Sequence, residues 1–497
     1  MRNLAVALCA FVLAACQAGA APADDPHMVA DRSVAAPLTA VQLLLRQGDE
    51  ADAVQALTPI VAPDVLDRLS PELGHRVVAT YALAALDSEQ ASKAHWAYQI
   101  ATQSPLATTD DWLGRLMSAA VASDPEDAYA AFEHLRLAAP DHVRTINQRV
   151  LVWIDQAFGA LPNAAEAQLQ LAQVLSPLSN LDPRVDLNPI WLQGATAALA
   201  NGDEATAMSF ARRIGSPLVM AQLRADRRFD ELVAKNPAAF NVHAVGAAEL
   251  ARAQKLAGAD PDHRAPQYAV AVALERLGRY SEALDELDAA MAAGPAWRED
   301  DAYQYDLIAR KVTVLSELGR NDEALAITSA MCALCTDKVR FDMQQAHILI
   351  GLNRPGEALA MLRHRQPESL DMAGAADLAA LRACALHGVG RQADAAAQLA
   401  DILPLQRADP DAYLGAVACA GSDEEIAMAL VNMLGDPQLR AVALGALQVY
   451  REGQPAPLTA AFRDRLAKIA QRPDVQAALL KVGRVETYDF PRYAIVG

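Results

Sequence analysis

Few residues of this 497-residue chain have types and spacing that could do chemistry. Cys332-Ala-Leu-Cys335 is a C-x-x-C, which elsewhere means redox chemistry or half a zinc site. No second C-x-x-C partners it and no βαβ pattern follows it, so it reads either as buried small hydrophobes or as a disulfide. Cys384 and His387 stand three apart, a spacing that puts both on one helix face. His347 upstream and Cys419 downstream complete a set of four side chains that soft metals favour. Arg212, Arg213, Arg224, Arg227, Arg228 and Lys235 form a basic cluster. It reads either as solvated faces and salt bridges, or as a docking patch for an acidic partner or anionic headgroups. Asp423, Glu424 and Glu425 supply carboxylates, but Ser422 and Glu425 have capping-box spacing, which explains them structurally. The sequence has no Gly-rich phosphate loop, zinc-binding His-Glu-x-x-His or nucleophile elbow. The expectation is a chain with no catalytic residue, metal or cofactor.

Composition narrows the elements that must hold these side chains. Hydrophobic residues make up 53%, enough for a core, so wholesale disorder is excluded. Aromatics are only 5%, and Ala, Leu and Val carry the apolar fraction. That balance favours helices over sheets. Against 61 Asp and Glu stand 43 Lys and Arg, a formal charge of −18 that argues against nucleic acid as a partner. Six cysteines are too few for a disulfide-built scaffold of this length.

The first residues read as an address. Arg2 precedes an apolar run from Leu4 to Ala15, which has the length of a signal-peptide core and is too short to span a bilayer. It ends in Leu13-Ala14-Ala15-Cys16, which resembles the lipobox of bacterial lipoproteins at all four positions. The resemblance implies a lipid on Cys16, and Gln17 in place of an acidic residue implies the outer membrane, periplasmic side. Cleavage after Ala18-Gly19-Ala20 is the other reading, and it leaves a soluble periplasmic protein. Residues 17–36, rich in Ala, Pro and Asp, read as a tether.

The remainder repeats itself. Between Pro266 and Pro295 the pattern is helix, tight turn at Gly278, second helix, proline stop. Ala271, Ala283 and Ala290 fall where two antiparallel helices approach closely, and Leu274, Leu277, Leu284 and Leu287 fill the apolar stripe. With Tyr280 in Gly278-Arg-Tyr280-Ser-Glu-Ala283, the segment resembles a tetratricopeptide repeat. The same turn recurs as Gly319 with Ala324, Asn353 with Ala358, and Gly390 with Ala395. Upstream it recurs at Gly48 and Gly202, and more weakly at Glu89, Ser123 and Ala160; Ser422 is a last candidate. The expected fold is all-α, a helix-turn-helix solenoid (a tetratricopeptide superhelix) in two arrays with a short C-terminal helical region.

The long gap between the turns at 202 and 278 hides an insertion. Leu223-Arg-Ala-Asp-Arg-Arg-Phe229-Asp-Glu-Leu232 resembles the element that closes a group of tetratricopeptide repeats, where a helix covers the open end of the last hairpin. The expected organisation is therefore a signal peptide over 1–15, a tether over 16–36 and a first array over 37–215. A capping and connecting segment spans 216–245 and a second array 246–436. C-terminal helices follow over 437–482, drawn as Pro437–Tyr450, Leu458–Gln471 and Val475–Leu480. The tail, 483–497, is either a docked extended segment or a disordered end.

In the repeat frame Tyr268, Val272 and Glu275 face the groove, which is thus apolar and acidic and suits an amphipathic helix or an extended basic segment. His347, Cys384, His387 and Cys419 fall on the same face, but first helices about 9–10 Å apart are too distant for one metal to bridge them easily. The resemblance implies a non-enzymatic scaffold or adaptor lipoprotein for protein partners in the cell envelope, in assembly, pilus or peptidoglycan machinery, with self-association possible. Two other classes stay open: an enzyme subunit with a Cys/His groove site, and a periplasmic glycan-binding module.

Overall fold

The computed structural model describes residues 26–491 except 89, 179–184, 261–262, 293–301, 335–337, 366–369, 371 and 452–455. The described chain is helical throughout, apart from two-residue strands at Val449–Tyr450 and Thr487–Tyr488, which pair in parallel. Cys16, the signal peptide and the first part of the tether lie outside the described residues.

The hairpins are built around left-handed turns. Positive φ occurs at Gly48, Ser123, Gly202, Gly278, Gly319, Asn353 and Gly390, all of them turn positions of the sequence frame. The residue after each donates its N–H to the carbonyl five residues back, as in Arg279 to Leu274 at 2.9 Å and Arg391 to Leu386 at 2.9 Å. This is the Schellman closure, which satisfies a helix-end carbonyl and turns the chain back at once. Five residues beyond each turn stands an alanine: Ala53, Ala128, Ala207, Ala283, Ala324, Ala358 and Ala395, each at most 1% exposed. There the second helix meets the first, and a larger side chain would hold the backbones apart.

The residue after the turn also opens the second helix. When it is Asp124 or Asp203, its carboxylate accepts from the N–H three residues on. When it is Arg279, Arg320, Arg354 or Arg391, it pairs instead with the acid at that position: Glu282, Glu323, Glu357 or Asp394. These pairs are exposed and add little stability. Ala160 and Ser422 depart from the frame. Ala160 has φ −85°, and Ser422 caps the helix Asp423–Gly435 through a capping box with Glu425.

Two compact units divide between Ala167 and Gln168. In the first unit the hairpins Pro71–Asp87 with Ala91–Gln103 and Thr109–Val121 with Pro125–Ala138 stack in succession. The helix before them, Pro26–Gln47, takes in residues 26–36 that the sequence assigned to the tether. Val34, Leu38 and Val41 bury against the first hairpins, and Asp31 accepts the Ser70 N–H at 3.0 Å. Asp111 is 4% exposed and accepts from Thr108 N–H and hydroxyl at 2.7 Å, with His75 Nε2 at 3.3 Å. Burial alone would raise its carboxyl pKa, but hydrogen bonds from His75 and Thr108 outweigh it and hold the group below the usual carboxylate range.

In the second unit, segment 216–245 does more than cover one end. Leu223 and Phe229 are fully buried, and Pro217–Ala225 packs against Asn188–Ala200 and Val242–Ala259. It also packs on Arg440–Ala446, some 220 residues away in sequence. The tail from Gly483 to Pro491 docks here as an extended segment; residues 492–497 lie outside the described residues. Arg484 N–H donates to Ala225 O at 3.0 Å, and Asp226 bridges to Gly483 antiparallel. A Cβ on Gly483 would stand 2.4 Å from Leu444 and 2.7 Å from Ala225 O, so only glycine permits this approach. The C-terminal helices run Arg440–Ala446, Pro457–Ala470 and Pro473–Val482. The first ends before Tyr450 because residues 449–450 leave it to pair with the tail.

Two outcomes are expected. Ala283→Trp should lower the melting temperature by several degrees, because overpacking a helix crossing costs about 1–3 kcal/mol. Exposed Ala289→Trp should change stability by no more than about 0.5 kcal/mol. The second outcome concerns pH. With its pKa depressed in the folded state, Asp111 contributes stability above the unfolded aspartate pKa, about 3.9, and loses it as pH falls through the folded value. Melting curves should therefore show Asp111→Asn clearly destabilised at neutral pH, with the gap closing below about pH 4.

Candidate functional site

The face formed by successive first helices is where the sequence placed its groove. Tyr268, Val272 and Glu275 lie on the helix Arg264–Arg276, and all three are buried, not open to solvent. Arg310, from the next first helix, Ala302–Glu317, stands over Glu275 at 3.2 Å and donates to the Tyr268 hydroxyl at 3.1 Å. The next step pairs Arg340 with Asp306 at 2.6 Å, and His347 then pairs with Asp377 at 3.1 Å. At the two arginine steps, acid and base one repeat apart neutralise each other across neighbouring helices. The expected acidic groove is thus corrected: its carboxylate is spent within the array. For the first two pairs, a base about 35 residues after the acid was the available signal, visible only once the frame was drawn.

The Cys/His set resolves differently. Cys384 and Cys419 form a disulfide with Cα atoms 5.5 Å apart, joining the helices Met372–Gly388 and Pro410–Ala420. Where these helices meet, Ala376, Ala379, Ala380 and Ala416 pack in one buried cluster of small side chains. Both thiols are thereby removed from metal binding, while His347 is engaged by Asp377 and His387 Nδ1 is buried with no hydrogen-bond partner among the described residues. Among the described residues, no three His, Cys, Asp or Glu side chains stand close enough to hold a metal ion. The side chains of Cys332 and Cys335 lie outside the described residues.

Most of the basic cluster is used inside the second unit. Arg213 donates to Ser176 O at 2.6 Å and Leu178 O at 2.5 Å and stacks over Trp191. Arg224 forms a two-point pair with Glu486 at 2.9 and 3.2 Å and donates to Phe240 O. Arg227 donates to Gly483 O, Arg228 clasps Asp226, and Lys235 pairs with Glu204. Arg212 is exposed. Of the two readings of this cluster, Arg224, Arg228 and Lys235 fit the salt-bridge one, and Arg224 and Arg227 also hold the tail in place.

The repeat-packing residues sit at helix crossings and turns. Ala271, Ala283, Ala290, Ala324, Ala358 and Ala395 are buried, Tyr280 is 8% exposed, and Gly278, Gly319 and Gly390 have φ between 68° and 80°. Gly278 has a second constraint, because a Cβ there would lie 2.2 Å from Pro491 of the docked tail.

One occupant of the first-helix face was not legible. The helix Pro457–Ala470 lies against the first helices Lys338–Gly351 and Pro410–Ala420 and the second helix Asp423–Gly435. Leu458 and Phe462 pack on the cluster containing Met343, Leu349, Leu381, Cys384 and Cys419. Arg465 donates to Ala418 O at 3.1 Å and Gly421 O at 2.8 Å, meeting the open carbonyls at the C-terminus of Pro410–Ala420, and pairs with Asp423 at 2.6 Å.

No family model and no curated protein matches this chain. Among solved structures it is similar to a chain of the APC/C hetero-tetramer Cut9-Hcn1, at 14% identity and TM-score 0.29, covering 89% of this chain and 92% of that one. It is also similar to the P58(IPK) TPR domain, at 13% identity and TM-score 0.22, covering 88% and 99%. At those scores the likenesses carry no argument, and the helical-hairpin assignment rests on the turns and crossings themselves. No described helix is long and apolar enough to cross a membrane.

The disulfide yields a prediction. Removing it by Cys384→Ser, or by reduction, should cost about 2–4 kcal/mol, since it closes a loop with a sequence separation of 35. Thiol titration of the oxidised, denatured protein should leave both cysteines unreactive until a reductant is added.

Proposed function

We propose that this chain is a non-enzymatic scaffold of the bacterial cell envelope, anchored by a lipid on Cys16 on the periplasmic side of the outer membrane, that binds protein partners on its helical-hairpin surfaces. The binding half rests on one observation above others: the first-helix face of the second unit already holds an amphipathic helix, Pro457–Ala470. A surface that seats one helix through an apolar strip and an arginine has the chemistry to seat another. Self-neutralised acids along that face support recognition by shape and apolar contact more than by net charge.

The envelope half rests on Leu13-Ala14-Ala15-Cys16 and is supported by the disulfide Cys384–Cys419, because such bonds persist in oxidising compartments such as the periplasm. The lipid would fix location and the array would gather partners; assembly, pilus and peptidoglycan machineries are the candidate settings. Crosslinking in intact cells, followed by identification of the attached proteins, tests the partner reading. Recovery of no envelope protein would contradict it.

A single substitution tests the anchor. Cys16→Ser should move the protein from the membrane fraction to the soluble fraction or leave it unprocessed, since the thioether-linked lipid needs that sulfur. Unchanged fractionation and normal maturation would remove the lipoprotein reading.

A further inference from the structure

The helix Pro457–Ala470 differs from its neighbours in how it is held. It belongs to no hairpin of the array and lies across first helices that are not adjacent to it in sequence. Of its apolar residues only Leu466, Ile469 and Ala470, all in the second half, are buried. Leu458 and Phe462, in the first half, remain partly exposed although they rest on an apolar cluster. The chain on either side is fixed independently: Val449–Tyr450 pairs with the tail, and Pro473–Val482 packs on Asp423–Gly435. Only Gln471 and Arg472 separate the buried end of this helix from the next one.

The first turns therefore have modest apolar anchorage, a pivot at Ile469 and Ala470, and ends that stay in place when they lift. Beneath them lie an apolar floor braced by the Cys384–Cys419 disulfide and the helix-end carbonyls of Ala418 and Gly421, with the Asp423 carboxylate beside them. Those carbonyls lose a donor when Arg465 leaves, so the site favours an incoming cation at that same point.

We propose that the helix Pro457–Ala470 is a displaceable internal occupant of this face, and that it gives way to an amphipathic helix of a partner protein bearing the same side-chain order. That order is an aliphatic residue, an aromatic four positions on, an arginine three further and an aliphatic next to it, as in Leu458, Phe462, Arg465 and Leu466. The inference rests on the scaffold reading above and adds a gate to it: the face is closed until a competitor of this pattern arrives. A helix lacking the arginine leaves the Ala418 and Gly421 carbonyls unmet and competes poorly.

The test uses the full chain, a labelled peptide of residues 456–471 and fluorescence anisotropy, with hydrogen exchange read over 457–466. In the wild type the tethered helix should outcompete the peptide, giving weak binding and slow exchange. Phe462→Ala with Arg465→Gln should speed exchange over 457–466 and tighten peptide binding at least tenfold. The same peptide carrying Arg465→Gln should lose most of that gain. Phe462→Ala alone provides a milder variant that keeps the pair Arg465–Asp423. Faster exchange without peptide binding would show that the face does not accept a helix in trans. Unchanged exchange in both variants would show a permanent structural element. Either result overturns the proposal. Peptide binding that behaves as expected, with no envelope proteins crosslinked in cells, would sink the scaffold's setting and leave the gate standing.

Discussion

Everything in this structure depends on one local constraint: a left-handed residue that ends the first helix, followed five positions later by an alanine where the second helix crosses it. The turn sets direction through a single bond from the following N–H to a carbonyl five residues back. The alanine sets separation, since buried helices at contact leave no volume for a larger side chain. Glycine meets the backbone requirement at five of these turns, while Ser123 and Asn353 accept positive φ at a steric cost that only the surrounding packing can offset. Because each hairpin buries its apolar stripe only against its neighbours, repetition of this geometry is also what gives the core continuity.

Two features follow from hairpins that repeat at about 35 residues. Polar residues at matching positions of successive first helices come within reach, so Glu275 meets Arg310, and Asp306 meets Arg340. Cysteines at corresponding heights do the same, and Cys384 finds Cys419. The face that would otherwise be acidic and reactive becomes neutral, apolar and oxidised. That is a surface suited to holding a helix, and it holds one.

The turn frame was legible because its signal is local: Gly278-Arg with Ala283, Gly319-Arg with Ala324 and Gly390-Arg with Ala395 announce themselves within six residues. Where that signal thins, so does the reading; Ala160 and Ser422 stand at turns of another kind. Pairings between neighbouring repeats were half legible. The types and spacing of Cys384, His387 and Cys419 marked a cluster, but only contact between alanine-lined helices decides that two thiols join each other. Closure of the second unit was not legible, because Arg224 and Glu486 stand 262 residues apart and belong to segments outside the repeat pattern. Residues 26–36 misled for a related reason. Their Ala and Asp content reads as tether, yet Val34 and its neighbours bury in a helix once the first hairpins are there to receive them.

That closure locks the helix Pro217–Ala225 to the helix Arg440–Ala446 through the tail. Gly483–Pro491 lies between Pro217–Ala225 and the chain that follows Arg440–Ala446; Arg224, Arg227 and Arg484 tie it to the first side and Gln448 to the second. Hydrogen exchange on a chain ending at Val482 measures this most directly. The account predicts faster exchange in Pro217–Ala225 and Arg440–Ala446, with Met372–Gly388 protected as before. Unchanged exchange in those two helices after removal of the tail would contradict it, as would uniform loosening of the whole array.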